Sequence, residues 1–99
     1  MANPISEMIL PDLSRKVVVL YLSNRTYEHV VVMSDPVFEL QGELLFLCGE
    51  IPDGVSPNDW AVGVRTHVAW RQVEEYLVFD SLEDYLNRAA LAMEDTTLQ

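Results

Sequence analysis

One cysteine and two histidines are the residue types in this chain that could support nucleophilic catalysis. Cys48 is the only cysteine among the 99 residues, and His29 or His67 could serve it as a base. Cys48 ends the apolar run 44–47, however, and a cysteine in such a run is typically a small buried apolar residue. Because residue types without geometry do not define a nucleophile and its base, the sequence predicts no catalytic pair.

Metal binding is the second chemistry that these residues could support. His29 and His67 lie far apart in the sequence, without a partner at the close spacing of a metal-binding motif. An exposed strand position explains each histidine, and a single cysteine excludes an internal disulfide or a site built from several cysteines. We therefore expect neither a metal nor another cofactor.

Two pairs of neighbouring acids could act as a general acid and base. Glu74 and Glu75 lie in a predicted strand, where adjacent side chains point to opposite faces and cannot easily share a proton. Glu83 and Asp84 follow Ser81, a good helix cap, and acids in a first turn complement the helix dipole. Solvation and capping therefore explain both pairs.

The elements that must position these groups begin with short β-rich runs. Residues 17–22, 27–33 and 44–48 are rich in apolar residues, with β-branched side chains in the first two runs, and predict three strands. Pro36 cannot donate to a strand ladder, so it predicts a bend or bulge after the second strand. Gln41-Gly42 predicts a turn before the third strand.

A long loop and two further strands follow. Residues 49–59 hold two Gly and two Pro and predict the longest loop. Residues 60–70 alternate with a period of two, which predicts a half-buried antiparallel strand with Arg65 and His67 facing outward. The predicted inward face holds Trp60, Val62, Val64, Thr66, Val68 and Trp70. A tight turn then joins this strand to another at 74–79.

The C-terminal part of the chain alone has a helical period. Ser81 begins a predicted helix that ends near Met93, with Leu91 off the apolar stripe. The stripe that should face the sheet holds Leu82, Tyr85, Leu86, Ala89 and Met93. We expect a single domain. It would consist of an N-terminal extension (1–14), a barrel (15–80), this helix (81–94) and a frayed tail (95–99).

Residues 67–73, His-Val-Ala-Trp-Arg-Gln-Val, look like a short helical turn before a closing strand. With five or six short strands, one of them long and bent, residues 15–80 resemble the SH3-like and Sm-like small β-barrels. The resemblance implies a mainly β fold, either a barrel or a strongly bent antiparallel sheet, with the C-terminal helix packed on it. The RNA ligand of Sm-like proteins is not implied, because the sequence has no Arg-Gly pair.

The charge distribution is the most unusual feature of the sequence. The chain has 16 Asp and Glu against 6 Lys and Arg, a net charge of −10. No Lys or Arg lies between Arg25 and Arg65, and the segment 74–95 holds a single Arg among many acids. Such a field repels phosphate backbones and attracts basic partners, so we expect no direct nucleic-acid binding. A solvated face that maintains solubility is the competing explanation.

The amino-terminal sequence gives an expected location. No Lys or Arg precedes Arg15, so the sequence has no charged region typical of a signal peptide. The longest stretch without a charged residue, 17–24, is much shorter than a membrane-spanning helix. We expect a cytoplasmic protein that does not contact the membrane.

Three classes of function remain open. The first is a non-catalytic protein that acts by contact with a protein partner, which the charge suggests is basic, or that forms a homo-oligomer through strand edges or Leu91. The alternative is an acidic inhibitor or immunity-type protein that blocks a basic, nucleic-acid-handling partner. A small-molecule binder would instead form a pocket from loop 49–60 with Trp60 and His67. The residues expected to contact a partner are Asp53, Asp59, Glu83, Asp84 and Leu91.

Overall fold

The computed structural model describes residues 9–23, 30–54 and 61–97, with side chains described as far as Ala92. This part of the chain forms a five-stranded antiparallel sheet and one C-terminal helix, which confirms the mainly β prediction. The elements are β1 (Val17–Leu22), β2 (Val31–Gln41), β3 (Leu44–Glu50), β4 (Arg65–Ala69), β5 (Val73–Phe79) and α1 (Leu82–Thr97). A short 3₁₀ turn, Trp70–Gln72, joins β4 to β5 at the position predicted for a helical turn.

The order of the strands in the sheet is β4-β3-β2-β1-β5. β4 pairs with β3 and β5 pairs with β1, so these two strands lie at opposite edges. The sheet is therefore not closed into a barrel, and the barrel part of the prediction is not supported. What the structure shows is the coarser architecture, an antiparallel sheet with a C-terminal helix.

The core lies on both faces of β1. Val18 and Leu20 join one apolar cluster with Met33 and Leu47, and the alternate residues of β1 point to the opposite face. There Val17, Val19 and Val32 form a second cluster, which is covered by Phe79, Leu82 and Tyr85. A run of five aliphatic residues and one tyrosine fits this position, because both of its faces are largely buried.

The first cluster also includes Leu13, which lies before β1 and is almost fully buried. Leu13 belongs to the predicted N-terminal extension, residues 1–14, and contributes to the core. The packed part of the chain therefore begins before residue 15. The predicted strand residues 27–29 lie outside the described residues.

The predicted interruption at Pro36 is a bulge in the middle of β2. The pairing of β2 with β3 shifts register between Ser34 and Val37. Asp35 has a φ of 50°, and its Oδ1 atom accepts a hydrogen bond of 3.0 Å from the backbone N–H of Arg15. The predicted turn after Gln41 is also confirmed, and β3 follows it.

The predicted strand 60–70 is wrong in its first half. Gly63 has a φ of +80°, and its N–H donates to the carbonyl of Ile51 at 2.9 Å. The N–H of Val64 donates to the carbonyl of Ala61 at 3.0 Å, which closes a turn over Ala61–Gly63. Because this turn replaces strand pairing, β4 begins only at Arg65.

The prediction of which residues of this strand point inward is therefore confirmed only in part. Val68 is buried and packs in the first cluster, as predicted. Val62 and Val64 are exposed, because they lie in or beside the turn rather than in the ladder. Trp60 lies outside the described residues.

The helix begins as predicted and continues further. Ser81 Oγ accepts a hydrogen bond of 3.0 Å from the backbone N–H of Asp84, which is the expected cap. Leu82 and Tyr85 pack on the sheet, and the rings of Phe79 and Tyr85 make an edge contact with centroids 5.3 Å apart. The backbone remains helical to Thr97, so the tail predicted to fray after residue 95 is helical for its first residues.

The rest of the predicted apolar stripe lies nearer the surface. Leu86 is exposed and Ala89 is half-buried, because only the first turns of α1 lie over the sheet. The side chain of Met93 lies outside the described part of the chain. No helix within the described residues is long and apolar enough to span a membrane.

Candidate functional site

Three side chains from three neighbouring strands converge on one face of the sheet. Cys48 on β3 lies directly opposite His67 on β4, and Glu39 comes from β2 on the other side of β3. Directly opposed residues of an antiparallel pair share a face, so the pairing brings Cys48 Sγ to 3.1 Å from His67 Nδ1. The carboxylate of Glu39 completes a group whose ligand atoms all lie within 4.8 Å of one another.

The environment of Cys48 is polar although its side chain is fully buried. Cys48 belongs to neither apolar cluster, and it lies beside the side chains of Glu39, His67 and Arg65. Burial raises the pKa of the Cys48 thiol, the charge of Glu39 raises this pKa further, and Arg65 has the opposite effect. The thiol is therefore protonated at neutral pH, and a protonated thiol is a weak nucleophile.

Two further polar contacts surround this group. Arg65 Nη2 donates to Glu39 Oε2 at 3.2 Å, with both side chains about half exposed. Gln41 Nε2 lies 3.0 Å from His67 Nδ1. His67, predicted to line a pocket with Trp60, thus contacts Cys48 and Gln41; Trp60 and His29 lie outside the described residues. Sequence spacing does not reveal this group, because its members are distant in sequence and meet only through strand pairing.

A different surface lies along the outer edge of β5. Tyr76, Leu77 and Val78 are consecutive and 36–45% exposed, although two of them point to one face and one to the other. Proteins usually protect an edge strand with charges, Pro, a bulge or short length. β4, at the opposite edge, is short and carries exposed Arg65 and His67, whereas the second half of β5 has no such protection from the residues that the structure describes.

Acidic residues lie at both ends of β5. Glu74 and Glu75 are exposed at its start, and Asp80 follows its last residue. Lys16 Nζ donates to Asp80 Oδ1 at 2.8 Å, and this hydrogen bond holds the pKa of Asp80 below its usual value. Asp80 is therefore charged at neutral pH, and its side chain is largely exposed.

An apolar groove lies between the β5 side of the sheet and the first three turns of α1. It has a volume of about 320 Å³, and its walls include Leu77 and Phe79 of β5 and Tyr85 and Ala89 of α1. Burial raises the pKa of Tyr85, and the nearby Tyr21 hydroxyl raises this pKa further. The groove gives the helix-facing side of β5 an apolar surface next to its open edge.

The structure places four of the five predicted contact residues. Asp53 and Glu83 are both exposed. Gly54, next to Asp53, lies near α1, since a Cβ added to it would be 3.7 Å from Leu86 Cδ2. Asp84 is half-buried and accepts a hydrogen bond of 3.1 Å from Arg88 Nε. Leu91 is exposed on α1, off the packed stripe as predicted. Asp59 lies outside the described residues.

Comparison of the chain with models of protein families, with curated proteins and with solved structures finds no match.

Proposed function

We propose that this protein is a non-catalytic interaction module that binds an extended segment of a partner protein along the outer edge of β5. The observation that carries this proposal is the unprotected edge itself, with Tyr76, Leu77 and Val78 exposed in succession. Consecutive apolar residues on an edge strand are a liability unless another chain covers them.

Strand addition would use two kinds of interaction at this edge. The backbone N–H and C=O groups of β5 that face away from β1 would pair with the backbone of the added segment. Alternate side chains of that segment would lie on the two faces of the sheet, one of which has the groove beside Leu77. Backbone pairing supplies affinity, and the groove supplies a preference for an apolar side chain.

The charges at the ends of β5 favour a partner segment with basic flanks. Glu74 and Glu75 lie at one end and Asp80, which is paired with Lys16, at the other, within a chain whose net charge is −10. Opposite charges facing each other across strands stabilise a pair, and long-range attraction accelerates the encounter. A basic partner agrees with both the protein-contact and the acidic-inhibitor hypotheses from the sequence.

The same charges disfavour a second copy of this chain as the occupant. An antiparallel pair of β5 strands centred on Leu77 would place Glu74 of each copy opposite Asp80 of the other. Like charges directly opposite are destabilising, and symmetry repeats the repulsion at both ends. We therefore commit to a basic heterologous segment, and self-association becomes an outcome of the test.

The SH3-like relationship also remains a proposal. The bulged long strand β2 and the 3₁₀ turn Trp70–Gln72 before β5 are the features that support it. Protein binding at β5 does not depend on this relationship, because the proposal uses only the exposed edge and its charges.

A labelled peptide tests the proposal directly. The probe is a short peptide rich in Val and Thr with paired lysines at each end, and the comparison peptide carries paired glutamates instead. We expect Val78→Lys to weaken binding of the basic peptide about tenfold or more, since it places a positive charge on the docking edge. Val64→Lys is the matched control, because Val64 is exposed to a similar extent beside the opposite edge.

Hydrogen exchange separates strand addition from general electrostatic attraction. Binding of the basic peptide should slow exchange of the outward-facing amides of β5 and leave those of β4 unchanged. Equal affinity of both variants for the basic peptide, or equal affinity of the wild-type chain for both peptides, would overturn the proposal. Concentration-dependent self-association that Val78→Lys abolishes would show instead that the occupant is a second copy.

A further inference from the structure

We propose that Glu39, Cys48 and His67 form a binding site for a single Zn²⁺ ion. The site is on the β2-β3-β4 part of the sheet, away from the β5 edge, and does not depend on the proposed protein contact. Its basis is the convergence of a thiol, an imidazole and a carboxylate whose ligand atoms lie within 4.8 Å of one another.

The donor set matches the chemistry of zinc. Thiolate, imidazole and carboxylate are the three protein donors that zinc uses, whereas Mg²⁺ and Ca²⁺ prefer oxygen ligands throughout. A zinc ion that solvent can reach usually has three protein ligands and a water molecule in the fourth position. Glu39 and His67 are at the surface while Cys48 lies beneath them, so solvent can reach the fourth position.

The distances need only a small adjustment. Ligand atoms around a tetrahedral zinc ion lie about 3.3–3.8 Å apart, given zinc–ligand bonds of about 2.0–2.3 Å. Cys48 Sγ and His67 Nδ1 are already 3.1 Å apart on rigid paired strands. The carboxylate of Glu39 is on a flexible, half-exposed side chain, and a rotation would bring it into the same range.

The contacts of His67 fit the tautomer that a metal ion would bind through Nδ1. The Gln41 amide nitrogen, 3.0 Å from His67 Nδ1, donates to this atom if the imidazole is neutral with its proton on Nε2. In that tautomer the lone pair of Nδ1 is on the side of the ring that faces Cys48. A zinc ion placed there would replace the Gln41 amide as the partner of Nδ1.

Zinc binding would also supply the positive charge that a buried Cys48 thiolate needs. The Cys48 S–H bond breaks as the Zn–S bond forms, and its proton passes to solvent. Two negative ligands, the thiolate and the carboxylate, balance the charge of Zn²⁺, so the buried thiolate is no longer uncompensated. Arg65 competes with the metal, because its guanidinium now bonds the same Glu39 carboxylate at 3.2 Å.

Titration of the reduced full chain with Co²⁺ and then Zn²⁺ tests the site. We expect one Co²⁺ per chain, with a thiolate-to-cobalt charge-transfer band that Zn²⁺ removes by displacement. Cys48 is the only cysteine, so this band can come from no other residue. Zn²⁺ should also raise the melting temperature, because it binds the folded state.

Variants assign the remaining ligands and provide the control. His67→Gln and Glu39→Gln should each weaken metal binding by more than the roughly 10–100-fold that loss of an outer-shell partner causes. Glu43→Gln, the same substitution at an exposed acid in the nearby turn, should leave affinity unchanged. Arg65→Met should strengthen binding, since it frees the Glu39 carboxylate. Circular dichroism shows whether each variant is folded.

Several results would overturn the proposal. Absence of the charge-transfer band in the folded wild-type chain would exclude Cys48 as a ligand. An unchanged band and affinity in folded His67→Gln would exclude the site as defined. An equal decrease in metal affinity in Glu39→Gln and Glu43→Gln would show that these acids attract the metal only through their charge and not as ligands.

Discussion

Gly49 is the residue of β3 around which the packing leaves no room for a side chain. A Cβ at this position would contact Met33 Cγ and lie 2.8 Å from the backbone oxygen of Ser34. Met33 is fully buried and Ser34 O belongs to the backbone, so neither can move far. We expect Gly49→Ala to lower the free energy of unfolding by about 1–3 kcal/mol, measured by urea denaturation.

A shorter neighbour provides the control for this steric explanation. In a Met33→Ala background the γ carbon is absent, so the additional cost of Gly49→Ala should fall. A double-mutant cycle measures this coupling. Strict additivity of the two substitutions would contradict the explanation.

Cys48 shows what the sequence could and could not predict at the scale of a residue. Its burial followed from the apolar run before it, and the structure confirms that burial. Its neighbours could not be predicted from the sequence, because the register of three paired strands places Glu39, His67 and Arg65 beside it. Register depends on the bulge in β2 and on the turns, which sequence periodicity does not specify.

Two valines on the same predicted face distinguish the observed β4 from the longer strand predicted from alternation. Val68 is 7% exposed in the first apolar cluster, whereas Val64 is 50% exposed beside the Ala61–Gly63 turn. We expect Val68→Asp to lower the free energy of unfolding by about 3 kcal/mol or more, because it buries an unpaired charge. Val64→Asp should change it by about 0.5 kcal/mol or less, the usual range for a surface substitution.

Thermal unfolding followed by circular dichroism gives both values in one experiment. A similar decrease in the free energy of unfolding for the two variants would mean that Val64 is as buried as Val68. The strand would then extend toward residue 60, as the alternation predicted.

Local signals explain why some elements were predicted well. The start of α1 depends on Ser81 and the backbone N–H of Asp84, three residues away, so the sequence contains the whole interaction. The start of β4 depends on Gly63 in a left-handed conformation and its bond to Ile51, which no period reveals. The exposed edge of β5 could not be predicted from the sequence either, because a strand's position at an edge depends on the order of strands in the sheet.

At the scale of the whole molecule, negative charge exceeds the charge that ion pairs can neutralise. The described residues contain three ion pairs, Lys16–Asp80, Glu39–Arg65 and Asp84–Arg88, each with at least one well-exposed partner. Exposed pairs contribute little to stability, commonly about 0–1 kcal/mol. The net charge of −10 on a chain of 99 residues therefore opposes the compact state through repulsion between like charges.

Salt should for this reason stabilise the isolated protein. Raising ionic strength from about 0.01 M to 1 M shortens the Debye length from about 30 Å to about 3 Å, which screens most repulsion between exposed acids. We expect the melting temperature to rise with sodium chloride, and to rise less in Glu74→Gln/Glu75→Gln, which removes two adjacent exposed charges at the start of β5. A melting temperature that stays constant or falls over this range would show that the three ion pairs, which salt also weakens, outweigh the repulsion.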